Sequence, residues 1–153
     1  MRAAQIMTHP PITANAQTTL KAAAALMLQH SISGLPVLSA FGELVGMITE
    51  GDLLRGLGPR PDSDLKPQDE RTVAELMSLD AIFVTPDAPL SEVVTTMDTY
   101  HVKRVPVLSQ GKLVGIVSRA DVLRTLLMRD VPPLLASEAE HTVHGRRVVD
   151  QLA

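Results

Sequence analysis

A chain of 153 residues, 45% hydrophobic and 20% charged, carries enough apolar material for one compact domain with a real core. Its net charge of -3, its pI near 5.9 and an aromatic complement of two phenylalanines and one tyrosine argue against nonspecific nucleic-acid binding and leave little surface for stacking bases. The absence of cysteine excludes disulfides and thiolate metal sites. The longest apolar run, Ala22 to Leu28, falls far short of the roughly 20 residues that span a bilayer. Met1 to Gln5 lacks the apolar core of a signal peptide. The expectation is a cytoplasmic protein with no membrane insertion and no nucleic-acid partner.

In chain order, a short helical turn is expected around Ala4 to Met7. The prolines Pro10 and Pro11 end it and favour an extended segment through Ile12 and Thr13. From Thr19, an N-cap residue type, Leu20, Ala23, Ala24, Met27 and Leu28 recur at helical spacing and predict one buried face. Leu35 to Leu38 and Leu44 to Ile48, split by a Gly-containing turn, predict a β-hairpin with Pro36 at a strand start or edge. A helix follows over Leu53 to Leu57. Three prolines among polar residues make 59–71 a surface linker.

The pattern then restarts. Thr72 is expected to cap a turn with Glu75, Ile82 to Val84 to form a short strand, and Asp87 with Pro89 to open a helix with Leu90, Val93, Val94 and Met97 on one face. Val105 to Val117 predicts a second hairpin. Met7 and Met77, Leu20 and Leu90, and Pro36 and Pro106 are each 70 residues apart, whereas Gly46 and Gly115, and Asp52 and Asp121, are 69 apart. One residue is therefore lost in the second hairpin turn, where loop length is free to vary. The fold class read from this is α+β: two pseudo-twofold-related β-α-β-β-α repeats, 1–58 and 72–130, packed as one pair, with a tail over 131–153 that can be helical.

The most informative stretch occurs twice. Gly46 to Asp52 (GMITEGD) returns as Gly115 to Asp121 (GIVSRAD), each ending an apolar run and opening a helix. Two readings compete. One is a capping box: Thr49 or Ser118 accepts from the third helical N–H, and Asp52 or Asp121 reaches back to the cap's own amide. The other is a nucleotide cradle, in which amides at a helix start attract phosphate and a carboxylate accepts hydrogen bonds from two ribose hydroxyls. The two are compatible, because one carboxylate has several lone-pair sites.

Residues 6–55 and 76–124 resemble a tandem pair of cystathionine-β-synthase (CBS) domains, a Bateman module. The resemblance rests on Ile6 Met7 and Leu76 Met77, on Leu35 Pro36 Val37 and Val105 Pro106 Val107, and on the two Gly-x-x-Thr/Ser-x-x-Asp motifs. It implies a regulatory ligand-sensing module that binds adenosine-type nucleotides (AMP, ADP or ATP, with S-adenosylmethionine possible) in the clefts between repeats, commonly as a homodimer, and that acts on an effector protein not identified by the sequence. Carried over by position, it implies one site with ribose on Thr49 and Asp52, the base near Ile82 and phosphates near Lys103 and Arg104. The second site would use Ser118 and Asp121, with Ile12 near the base. Ser33 and Gly34 replace the basic pair there, so Arg119 would have to supply the positive charge.

Other constellations are weaker. Glu138, His141 and His144 could superficially form a metal site, but Gly145 interrupts their helix, and no metal is expected. No Ser/His/Asp or paired-carboxylate arrangement stands out, so an enzyme is not expected. The competing function is a structural dimerisation module with no physiological nucleotide.

Overall fold

In the computed structural model the described residues are 1–58, 71–79 and 81–129. The expected linker and the tail, with Glu138, His141 and His144, fall almost wholly outside them. The elements are α1 (Ala3–Ile6), β1 (Ala14–Asn15), α2 (Leu20–His30), β2 (Gly34–Leu38), β3 (Leu44–Thr49), α3 (Glu50–Leu57), a 3-10 turn (Val73–Glu75), α4 (Leu90–Tyr100), β4 (Arg104–Ser109), β5 (Lys112–Ser118) and α5 (Arg119–Arg129). The helix-hairpin-helix order α2-β2-β3-α3 thus returns as α4-β4-β5-α5, as an α+β fold built from a duplication requires.

The chain forms two compact units, and their membership crosses the repeats. One unit takes Met1–Pro11 with the residues from Ile82 onward, and the other takes Ile12–Ala81. Each repeat therefore gives its opening segment to the hairpin of the other. In the first unit, Thr8 and Ile116 exchange backbone hydrogen bonds (2.9 and 3.1 Å), and α1 packs on β5 and α5. In the second, Ser78 and Met47 do the same (2.8 and 2.9 Å). Both exchanges satisfy backbone groups on the outer edge of a hairpin strand that would otherwise stand unpaired.

Within the second unit, β1 pairs parallel to β2, which pairs antiparallel to β3. The Thr19 hydroxyl accepts from the Ala22 amide (3.1 Å) and starts α2, as its residue type predicts. Leu20, Ala23 and Met27 are buried, but Leu28 is 83% exposed. The helical period extended the apolar face one residue too far, since only a stripe of the helix meets the sheet. Pro36 lies inside β2, the middle strand, rather than at a start or an edge. Its counterpart Pro106 accepts the Val84 N–H at 3.0 Å, so the proline contributes the one backbone group it has.

In the first unit, β4 and β5 form the matching hairpin. Its core holds Ala3, Ile6, Val84, Ala88, Val93, Met97, Val105, Val107, Val117 and Val122. Four expectations are corrected in this half and its neighbourhood. Ile82 to Val84 does not form a strand: only Val84 bridges, parallel to Val107, because proline and a turn follow at once. Val94 is 42% exposed rather than core. Thr72 makes no side-chain cap; Glu75 instead pairs with Arg71 (3.3 Å), whose guanidinium also donates to the Gly56 carbonyl at 3.0 Å. Pro89 occupies the cap position of α4 itself and has no side chain to accept with.

The lost residue is where the register placed it. Leu38 pairs with Leu44 across a longer turn, and Leu108 with Leu113 across a shorter one. Both hairpins carry a register shift at the same step, between Val37 and Leu38 and between Val107 and Leu108. The shorter turn places Gln110 (φ 51°) and Gly111 (φ 78°) in the left-handed region, the two-residue geometry that matches strand twist.

Candidate functional site

The duplicated motif begins with a glycine for a reason of packing. A β-carbon on Gly46 would stand 2.5 Å from the Ser78 carbonyl oxygen and 3.1 Å from the Met77 sulfur, and one on Gly115 would collide with the Met7 side chain. The methionine that opens each repeat thus lies over the glycine of the unit it has joined.

The hydroxyl residue and the aspartate then build the helix start. Thr49 caps α3, which begins at Glu50, three residues earlier than the apolar pattern suggested. The Asp52 amide donates to Thr49 Oγ1 (3.3 Å), while Asp52 Oδ2 accepts from the Thr49 amide (2.8 Å) and hydroxyl (2.9 Å). At α5 the Asp121 amide donates to Ser118 Oγ (3.2 Å), and Asp121 Oδ2 accepts from the Ser118 amide (2.9 Å) and hydroxyl (3.2 Å). The capping box is complete in both copies.

Other first-turn amides are also taken. Glu50 N–H donates to the Ser33 carbonyl (2.7 Å), and Arg119 N–H to the Lys103 carbonyl (3.0 Å). A phosphate at either helix start would therefore meet fewer amides than an uncapped helix offers.

Each carboxylate keeps one oxygen outside the box, and in both copies an arginine three residues on holds it. Arg55 pairs with Asp52 Oδ1, and Arg124 with Asp121 Oδ1 at 3.4 Å. The sequence reading passed over these two arginines. Their shared offset from the aspartate, and their own separation of 69 residues, is the signal that could have found them. The two pairs differ in exposure. The Asp52 side chain is 15% exposed and that of Arg55 71%, whereas the Asp121 side chain is 1% exposed and that of Arg124 21%.

The remaining site residues divide by unit. Lys103, Arg104 and Arg119 lie with Ser118 and Asp121: Arg104 is directly across the β4–β5 ladder from Ser118 and is largely buried, while Lys103 and Arg119 are exposed. Ile82, half-buried, belongs to the same unit. Ile12, also half-buried, belongs to the unit of Thr49 and Asp52, where Gly34 stands across from Thr49. Basic side chains are thus concentrated around one helix start. Around the other, Ser33, Gly34 and Glu50 occupy the matching positions.

Among the described residues no group of His, Asp or Glu is placed to hold a metal ion, and no helix is long and apolar enough to cross a membrane.

Comparison with known proteins agrees with the duplication. The CBS domain family model matches residues 3–58 and again 73–128. Hypoxic response protein 1 of Mycobacterium tuberculosis is 37% identical over 109 residues, 71% of this chain and 73% of that protein. The L-aspartate semialdehyde sulfurtransferase of Methanocaldococcus jannaschii is 32% identical over 120 residues, of which this chain spans only 22% of the enzyme's length. Among solved structures, the CBS domain pair of protein MJ0100 in complex with 5'-methylthioadenosine and S-adenosyl-L-methionine superposes with a TM-score of 0.73 at 30% identity, covering 84% of this chain and 98% of that one. CBSX2 in complex with AMP gives 0.72 at 26% identity, covering 82% and 96%. Hypoxic response protein I with two coordinated zinc ions gives 0.70 at 33% identity, covering 86% and 100%.

Proposed function

This chain belongs to the CBS domain family, and from that premise we propose that it is a regulatory module that binds adenosine-type nucleotides and relays their presence to a partner protein. The observation that carries the reading is the pair of aspartates fixed at matching helix starts. Each has one oxygen locked in the capping box and the other turned toward an arginine three residues on. A carboxylate so oriented can accept the hydroxyls of a ribose without rebuilding the helix start.

In this assignment Thr49 and Asp52 take the ribose of one ligand, with Ile82 beside its base and Lys103 and Arg104 on its phosphates. Ser118 and Asp121 take the ribose of a second, with Ile12 on the base and Arg119 on a phosphate. The structures of relatives with AMP, and with 5'-methylthioadenosine and S-adenosyl-L-methionine, support the ligand class. The ligand acts by favouring one arrangement of the module over another, to the extent of its differential affinity for the two. The module works as a homodimer and as a binding protein rather than an enzyme. The sulfurtransferase resemblance fits that, because it touches a minor part of the enzyme.

Calorimetric titration with AMP, ADP, ATP, S-adenosylmethionine and NAD tests the reading. Micromolar binding of an adenosine ligand, lost on Asp52→Ala, is expected. Silence across the panel in folded protein would leave a structural dimerisation module.

A further inference from the structure

Helix α5 is apolar on two sides. Val122 and Thr125 are buried with Asp121 on the side that meets its own unit. Leu123, Leu126 and Leu127, spaced to share the other side, are 64%, 42% and 64% exposed. A surface helix ordinarily turns polar residues outward, so a second leucine stripe calls for a cover. The first repeat does not carry the whole of it. Leu54 on α3 is 67% exposed and matches Leu123 in register, but the positions of Leu126 and Leu127 are taken there by Leu57, which is half-buried, and by Gly58, which caps the helix end. An occupant that met both repeats alike would not account for that difference. A segment present once does, and the chain has one immediately beyond α5.

We propose that the segment from Val148 to Leu152 folds back as a helix onto the Leu123, Leu126 and Leu127 face of α5, within one chain. Leu152, Val149 and Val148, read backward, have the same steps of three and four residues as Leu123, Leu126 and Leu127 read forward. An antiparallel helix therefore sets Val148 beside Leu127 and Leu152 beside Leu123. The same alignment brings Arg146 and Arg147 to the C-terminal end of α5, where the last carbonyls attract positive charge. Pro132 and Pro133 disfavour a further turn of α5, and residues 130–147 are ample to reverse along a helix about 16 Å long. Tethering gives the segment an effective concentration on the order of 1 mM at that face, well above a second copy in dilute solution. The homodimer of the proposed function is left to other surfaces.

The chain has no cysteine, so engineered pairs test this directly. Leu127 and Leu54 are both exposed, and replacing either spares the core. In the full chain at micromolar concentration, Leu127→Cys with Val148→Cys is expected to oxidise to a disulfide within one chain. It should form at least about tenfold faster than in Leu54→Cys with Val148→Cys. A disulfide that links two chains makes a second copy the occupant, and equal rates in the two pairs mean no preference for α5. Either result overturns the proposal, as does the absence of any disulfide in the Leu127→Cys pair.

A thermal melt supplies a second readout. Leu127→Glu places a charge under the tail and should lower the melting temperature of the full chain by about 2–4 °C. Melting like the wild type would mean that nothing covers Leu127, and the proposal falls.

Discussion

The Ser78 carbonyl oxygen lies 2.5 Å from where a β-carbon would stand on Gly46, and the same segment bonds to Met47 through both of its backbone groups. The glycine is what lets the segment at Ser78 close on the hairpin edge. At Gly115 the obstacle is instead the side chain of Met7, which has rotamers to spare. Gly46→Ala should therefore cost about 1–3 kcal/mol, the range for forcing atoms into a packed site, and Gly115→Ala less. Urea unfolding of the two variants checks the order. Equal losses would mean that the exchanged segment moves aside as easily as a methionine does.

The capping boxes predict a second asymmetry. Thr49 is half-buried, whereas Ser118 is fully buried and donates to a carboxylate that solvent does not reach. Removing the hydroxyl at Thr49 costs the ordinary price of a cap, about 1 kcal/mol. Ser118→Ala also leaves the buried Asp121 short of a donor, so a loss of about 2–3 kcal/mol is expected. Thermal melts of Thr49→Ala and Ser118→Ala decide it, and a larger shift for Thr49→Ala contradicts the assignment.

Much of this was legible in the sequence, because its causes are local. Thr19, the two hairpins and both capping boxes are set by residues within a few positions of one another, and the 70-to-69 change in register located the shortened turn. The exchange of opening segments was not legible, since Thr8 meets Ile116 across almost the whole described chain and hydrophobic period carries no information about such partners. A trace of it was present nonetheless. Met7 and Met77 repeat 70 residues apart and Gly46 and Gly115 69 apart, and a large side chain facing a missing one is what the structure finds. Leu28 and Val94 were misread for a simpler reason: periodicity gives the direction of a buried face but not its width.

The tight hairpin offers a stabilising change. Gln110 holds φ 51°, a conformation that costs an ordinary residue about 1 kcal/mol and that asparagine tolerates. Gln110→Asn should raise stability by up to about 1 kcal/mol without touching either motif, because the turn is exposed. Urea midpoints with an unchanged denaturant slope would confirm it. A loss of stability would show that the Gln110 side chain contributes to the turn.

The last prediction concerns ligand affinity and ties the two aspartates together. Asp52 is the more accessible carboxylate, its arginine is the more exposed, and in the proposed assignment its ligand is the one that meets Lys103 and Arg104. Charge-assisted hydrogen bonds contribute about 1.5–3 kcal/mol each, so Asp52→Ala should weaken adenosine-nucleotide binding about ten- to a hundredfold. Asp121→Asn keeps the volume of the buried side chain and removes its charge, and it should leave the affinity of the first equivalent unchanged while lowering the melting temperature, since the Arg124 pair is lost. Calorimetry and a thermal melt on the same samples separate the two roles. If binding survives Asp52→Ala and fails in Asp121→Asn, the buried motif is the ligand site and the exposed one is a helix cap alone.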